Sequence, residues 1–314
     1  DVGRHFFPVR DIKRHIDLLS RYKLNIFHWH LTDDQGWRLE IRRFPALARV
    51  GGRRTEATGD RYAGFYTQAE AREVVEYARQ RGVTVVPEIE MPGHSSAALA
   101  AYPQLGCTGE TIAVPNSWGV FADIFCAGKD EVFTTLFGVL DEVMDIFPSP
   151  YVHIGGDEVP KDRWKACAAC QAVMRREGLA NEEELQGWFL RRIAAHVSSR
   201  GRTIIGWDEV LEGRFAPGAI VQSWRDSSFT RKAAERGHRV IASPNEWVYL
   251  NRQAGELTLE QVYAFDPVPK GLTAGEQHRV LGSEVTFWSE HITSGTNLAL
   301  MALPRLLAFA DVVW

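Results

Sequence analysis

Long hydrophobic runs are missing from this 314-residue chain. Its apolar stretches are short and broken by charge, as Arg305 and Asp311 break residues 303–314, whereas a spanning helix needs about 20 apolar residues in a row. No membrane partner is expected. An excess of one charge is missing too: 36 Lys and Arg against 40 Asp and Glu leave a net −4, with no basic surface to argue for nucleic acid as a partner. No stretch rich in Pro, Gly or Ser divides the chain, so a single domain over residues 1–314 is expected. No signal peptide is read at its start, which opens directly on a structured segment and looks like a trimmed boundary.

Cysteine is scarce. The four residues fall in two local pairs, Cys107 with Cys126 and Cys167 with Cys170, which suits two disulfides in a secreted or periplasmic protein. Closing the first loop would add about 3 kcal/mol in the chain-entropy model. The alternative is four free thiols in a cytosolic protein. Cys167-Ala-Ala-Cys170 has the spacing of a redox or zinc pair, but no second pair or nearby His is read as completing a ligand set, so no metal is expected there.

What is present is a globular composition, 45% hydrophobic and 24% charged with ten Trp, arranged as β-like runs alternating with amphipathic helical stretches. The pattern predicts strands at 1–7, 24–31, 83–90, 151–155, 203–207, 219–224, 239–242 and 280–286. Helices are expected over 10–22, 67–81, 130–147, 182–200, 227–236 and 297–310. Ile12, Ile16, Leu19 and Tyr22 mark the inner face of the first helix, and Val132, Leu136, Val139, Leu140, Val143 and Ile146 that of the third. Eight strands with helices between them indicate an α/β (β/α)8 barrel. A doubly wound open sheet is disfavoured because no Gly-rich dinucleotide fingerprint follows the first strand.

Active sites of such barrels lie at the carboxyl ends of the strands. Those ends carry Arg4; Asp33 and Asp34; Glu90 and His94; Asp157 and Glu158; Trp207 with Asp208 and Glu209; Trp224; Tyr249; and Trp288 with Glu290. Indoles can stack on the C–H faces of a sugar, while carboxylates and Arg suit its hydroxyls. Three Trp at three strand ends could wall a pocket for one pyranose ring. In His153-Ile-Gly-Gly-Asp157-Glu158, adjacent carboxylates on an extended chain point to opposite sides unless the backbone turns, and the two glycines permit that turn.

These segments resemble the catalytic barrel of the family 20 glycoside hydrolases, the β-N-acetylhexosaminidases. The resemblance is carried by Asp1-Val-Gly-Arg4-His-Phe, by 24–37 with His28-Trp-His30-Leu-Thr-Asp33-Asp34-Gln-Gly-Trp37, by Pro87-Glu-Ile-Glu-Met-Pro-Gly-His94 and by the Gly-Gly-Asp157-Glu158 segment. It implies retaining, substrate-assisted hydrolysis of a terminal N-acetylhexosaminide in an oligosaccharide or glycoconjugate, with no cofactor and no metal. Glu158 would be the acid and base, and Asp157 would orient the 2-acetamido group. Arg4 would bind hydroxyls at C3 and C4, and Asp33 with His94 would support Glu158. Tyr249 would donate to the acetamido carbonyl, Trp207, Trp224 and Trp288 would enclose the ring, and Glu290 would meet C4 and C6 hydroxyls.

Asn251 stands where an Asp is common in the family, weakening the expected C4/C6 contact, and the insertion at Pro244-Asn245-Glu246-Trp247 lengthens the approach to Tyr249. The small α/β domain that precedes the barrel in longer relatives is expected to be absent. Nothing in the sequence sets an oligomeric state. Two rival readings remain: a sugar-binding protein without catalysis, and a metal-dependent barrel hydrolase built on His28 and His30, whose alternate positions share a strand face.

Overall fold

A computed structural model describes residues 1–214 and 216–314. Seven parallel strands form one curled sheet in sequence order: β1 (Ile26–His30), β2 (Thr84–Glu88), β3 (Tyr151–His153), β4 (Thr203–Trp207), β5 (Ile220–Ser223), β6 (Arg239–Ala242) and β7 (Val280–Ser283). The β1–β2 register runs from Ile26 opposite Thr84 to His30 opposite Glu88. Around the sheet lie α1 (Val9–Arg21), α2 (Gln68–Arg79), α3 (Asp130–Ile146), α4 (Ala168–Glu177), α5 (Glu182–Ser199), α6 (Ser227–Glu235), α7 (Gly295–Ala302) and α8 (Arg305–Val313). Sequential parallel strands joined through helices make this a (β/α)8 barrel with seven strands formed among the described residues.

The helices form where the apolar spacing placed them. Ile12, Ile16 and Leu19 of α1 are buried, as are all six stripe residues of α3, while Tyr22 caps α1 and is exposed. Thr67 begins α2 with a reciprocal capping box to Glu70, which satisfies two of the amides that a helix start leaves open. The helix expected over 297–310 is instead two, α7 and α8, meeting at 54°, because Pro304 cannot continue an α-helix. No single helix among the described residues is long and apolar enough to cross a membrane.

The expected first strand does not form. Residues 1–7 carry no strand pairing; the Asp1 carboxylate instead accepts from the amides of Gly3 (2.8 Å) and Ser289 (2.8 Å), curling the chain by a side-chain turn that competes with a ladder. Val2 still donates to the His30 carbonyl at 3.1 Å, which keeps Arg4 at the mouth. Between β1 and β7 lies a cavity of about 460 Å³ with a largely apolar wall, including Ile12, Leu19, Phe27 and Phe287.

The cysteines also depart from expectation. Cys107, Cys126, Cys167 and Cys170 form one cluster, with Cys126 3.7 Å from Cys167 and 3.6 Å from Cys170. The loop carrying Cys107 and Cys126 folds against the start of α4, so a second pair does reach Cys167 and Cys170.

Candidate active site

β3 ends at His153, and the chain then turns through two left-handed glycines, Gly155 (φ +66°) and Gly156 (φ +97°), to Glu158, itself at φ +47°. At Gly155 a Cβ would come within 1.7 Å of Glu90 Oε2, so only glycine fits. The turn brings both carboxylates to one imidazole: His94 Nε2 lies 3.5 Å from Asp157 Oδ2 and 3.4 Å from Glu158 Oε2. Asp157 Oδ1 is buried with no hydrogen-bond partner. A buried carboxylate oxygen left open in this way suits a donor brought by a ligand.

His94, also left-handed at φ +45°, is held from behind. Its Nδ1 lies 2.9 Å from Asp34 Oδ2 and 3.4 Å from Asp33 Oδ1. Asp34 is therefore the nearer support of His94, and it is fixed by the amide (2.9 Å) and hydroxyl (2.6 Å) of Ser96. The expected Asp33–His94 contact is present at the longer of the two distances, and Asp34 joins it. Asp33 also pairs with Arg4 Nη2 at 3.0 Å and His30 Nε2 at 2.8 Å; it ends the short Thr32–Asp33 strand, and Asp34 begins the turn that follows. Burial disfavours ionised Asp33, but Arg4 and His94 outweigh it and hold the carboxyl well below its usual range. Burial likewise opposes charge on His94, and Asp33 and Asp157 reverse this, raising the imidazole well above its ordinary value.

Arg4, Asp33, Asp157, Glu158, Trp207, Trp224, Tyr249, Trp288 and Glu290, with His30, line a cavity of about 150 Å³ at the mouth. The larger cavity beside β1 has mainly apolar walls and is not lined by Asp157 or Glu158, both of which line the smaller one. Trp207 and Trp288 stand 5.8 Å apart at 55°, Tyr249 meets Trp288 at 6.1 Å and 61°, and Trp224 stacks with Tyr249 at 6.3 Å. Three indoles and a phenol thus wall one space. Tyr249 reaches it despite the preceding insertion, which folds as a short helix, Asn245–Val248. Its hydroxyl is raised well above its ordinary value, first by burial, and stays a donor.

The sequence pattern assigns no role to Glu88 or Glu284. Glu88, fully buried on β2, lies 2.9 Å from His28 Nε2, 2.5 Å from His30 Nδ1 and 2.8 Å from His153 Nδ1, and accepts from Trp207 Nε1 at 2.9 Å. It fixes the floor indole. His28 Nδ1 lies 2.8 Å from Glu284; burial resists its charge, but Glu284 and Glu88 push it up to about 10. Both nitrogens of His28 and of His30 therefore face carboxylates, and Glu88 joins the two imidazoles. Glu209 accepts from Trp224 Nε1 at 2.9 and 3.1 Å and is pushed up to about 8, by burial and then by Asp157. The signal for Glu88 was a carboxylate at the end of an otherwise largely apolar strand.

The family model described as glycosyl hydrolase family 20, catalytic domain, matches residues 1–314. A β-hexosaminidase of Porphyromonas gingivalis is 48% identical over all of this chain, which spans 42% of that relative's length. Among solved structures, a β-N-acetylhexosaminidase from Bacteroides fragilis superposes with a TM-score of 0.88 at 37% identity, covering 100% of this chain and 65% of that one. An exo-β-N-acetylglucosaminidase from Vibrio harveyi, solved with N-acetylglucosamine, gives 0.92 at 34% identity, covering 100% of this chain and 53% of that one. The fold, the carboxylate pair at the mouth and these likenesses agree: the chain belongs to glycosyl hydrolase family 20, as its catalytic domain.

Proposed function

We propose that the protein is a retaining exo-β-N-acetylhexosaminidase that removes terminal N-acetylglucosamine or N-acetylgalactosamine by substrate-assisted catalysis. The observation that carries this is the unpartnered, buried Asp157 Oδ1 beside Glu158, with one imidazole between the two carboxylates. Asp157 accepts the 2-acetamido N–H and turns its carbonyl oxygen toward the anomeric carbon. Tyr249 donates to that oxygen and holds it in line. Glu158 gives its proton to the glycosidic oxygen as the C–O bond breaks, and the acetamido oxygen closes an oxazolinium ring whose positive charge faces Asp157. Water then attacks the anomeric carbon from the face the aglycone left, Glu158 takes its proton, and the acetamido group is restored.

Arg4, held by Asp33, is placed for hydroxyls at C3 and C4, and Glu290 for those at C4 and C6. A sugar-binding protein without catalysis would need the aromatic walls but not the turn that delivers Asp157 and Glu158 to His94. The experiment is a panel of aryl β-glycosides of N-acetylglucosamine, N-acetylgalactosamine and glucose. The first two are expected to be cleaved with retention and the plain glucoside at least about 100-fold more slowly. Comparable turnover of the glucoside would remove substrate assistance, and binding without turnover would favour the sugar-binding reading.

A further inference from the structure

The cysteine cluster plays no part in the mechanism above. It draws on three pieces of chain. Gly106 and Phe125 form an antiparallel bridge that brings the flanking Cys107 and Cys126 into one neighbourhood, and Cys167 and Cys170 sit at the start of α4, with Cys167 as its N-cap. The four sulfurs all lie within 4.8 Å of one another. Cys107 is 3.8 Å from Cys170, and Cys126 is 3.7 Å from Cys167 and 3.6 Å from Cys170.

Those separations decide between chemistries. Four sulfurs about 2.3 Å from a central zinc ion, at the corners of a tetrahedron, stand about 3.8 Å apart. Two disulfides would instead pair the sulfurs at about 2.0 Å and leave the pairs unequal. Here Cys126 stands almost equally far from both members of the α4 pair, which is the arrangement of corners about a centre. We propose that Cys107, Cys126, Cys167 and Cys170 bind one zinc ion as tetrahedral thiolates, forming a structural site remote from the reaction.

The surroundings fit this assignment. Gly128 is forced to be glycine by the closeness of the two segments: a Cβ there would stand 2.3 Å from the Ala169 carbonyl carbon and 2.5 Å from the Cys170 nitrogen. The α4 N-terminus lends positive potential to Cys167 and Cys170, and Lys129 Nζ lies beside the cluster, on the carbonyls of Gln104 (2.8 Å) and Gly106 (2.6 Å). Soft sulfur ligands in a closed tetrahedron select zinc over harder cations.

The site would staple the loop after residue 106 to the segment that follows Glu158. That loop reaches the mouth, where Gln35 donates to the Ser117 carbonyl at 2.9 Å and Trp118 packs 5.5 Å from His5. Trp164 and Arg163 complete the seam, on the Phe125 carbonyl (2.9 Å) and Asp123 (2.8 Å).

The test is elemental analysis of the intact protein, purified under reducing conditions without chelator, together with the mass of the denatured chain. About one zinc per chain with all four thiols free after denaturation is expected. A chain without zinc and lighter by four hydrogens, meaning two disulfides, would overturn the proposal, as would four free thiols without zinc or iron in place of zinc. Cobalt exchanged into the wild-type protein should give thiolate-to-cobalt charge-transfer bands, and their absence would place the metal elsewhere. Cys107→Ser, a change at a partly exposed ligand, should lower zinc affinity by more than about tenfold in competition with a chromogenic chelator; unchanged affinity would exclude Cys107 from the site.

Discussion

His28 offers the sharpest test of the network beneath the pocket. It sits on β1 between Glu284 (2.8 Å) and Glu88 (2.9 Å) and is pushed up to about 10. Burial alone would move a histidine the other way, so the two carboxylates outweigh desolvation. Against an unfolded value near 6.5 the gap is about 3.5 pH units, on the order of 5 kcal/mol at about 1.4 kcal/mol per unit. Because the folded value is the higher one, this stabilisation is complete below about pH 6.5 and is lost as pH rises toward 10. His28→Asn should therefore destabilise the protein strongly at pH 6 and little at pH 10. Urea unfolding of both proteins at intervals between those limits reads the difference, which should shrink by up to about 1.4 kcal/mol per pH unit. Glu284→Gln should narrow the same window from its upper end. A difference between parent and His28→Asn that stays flat from pH 6 to 10 would refute a charged His28 and the ion-pair account of the barrel floor.

Three further outcomes are expected. Glu158→Gln should slow substrates with poor leaving groups by about 100- to 10,000-fold and activated aryl glycosides far less, and equal losses would contradict its role as acid. Asp34→Asn should lower kcat by about 10- to 100-fold through His94, whereas Asp33→Asn should chiefly raise KM by releasing Arg4. The reverse pattern in steady-state kinetics would return the support of His94 to Asp33. Gly155→Ala should cost more than about 1 kcal/mol, since it adds a side chain at positive φ, with a Cβ 1.7 Å from Glu90 Oε2; an unchanged melting temperature would contradict the close packing of that turn.

Much of the barrel was legible because each strand and helix declares itself over a few residues. The stripe of α3 and the Gly-Gly turn before Asp157 are local patterns, and both stand as read. Residues 1–7 misled because the Asp1 carboxylate spends itself on nearby amides, a side-chain choice that hydrophobic alternation does not reveal. Pro304 was visible inside the apolar run yet was read through. Asp33 and Asp34 are the same chemistry one residue apart, and only the hairpin they share with Gly36–Trp37 decides which faces His94. Cys126 and Cys167 are 41 residues apart, so local pairing could not see that the topology would bring them together.

Only Lys23, His94 and Glu158 take positive φ among the described residues other than glycine, and two of these three lie at the candidate site. Such a conformation costs a side chain on the order of 1 kcal/mol that glycine would not incur. At His94 the contacts with Asp34 and Asp33 offset that cost, whereas Glu158 is partly exposed, so stability and turnover pull in opposite directions at Glu158. A selection for heat resistance alone would favour Glu158→Gly while removing the acid from the site. A library aimed at a hardier enzyme should hold both positions fixed and look for its gains on the outer faces of the helices.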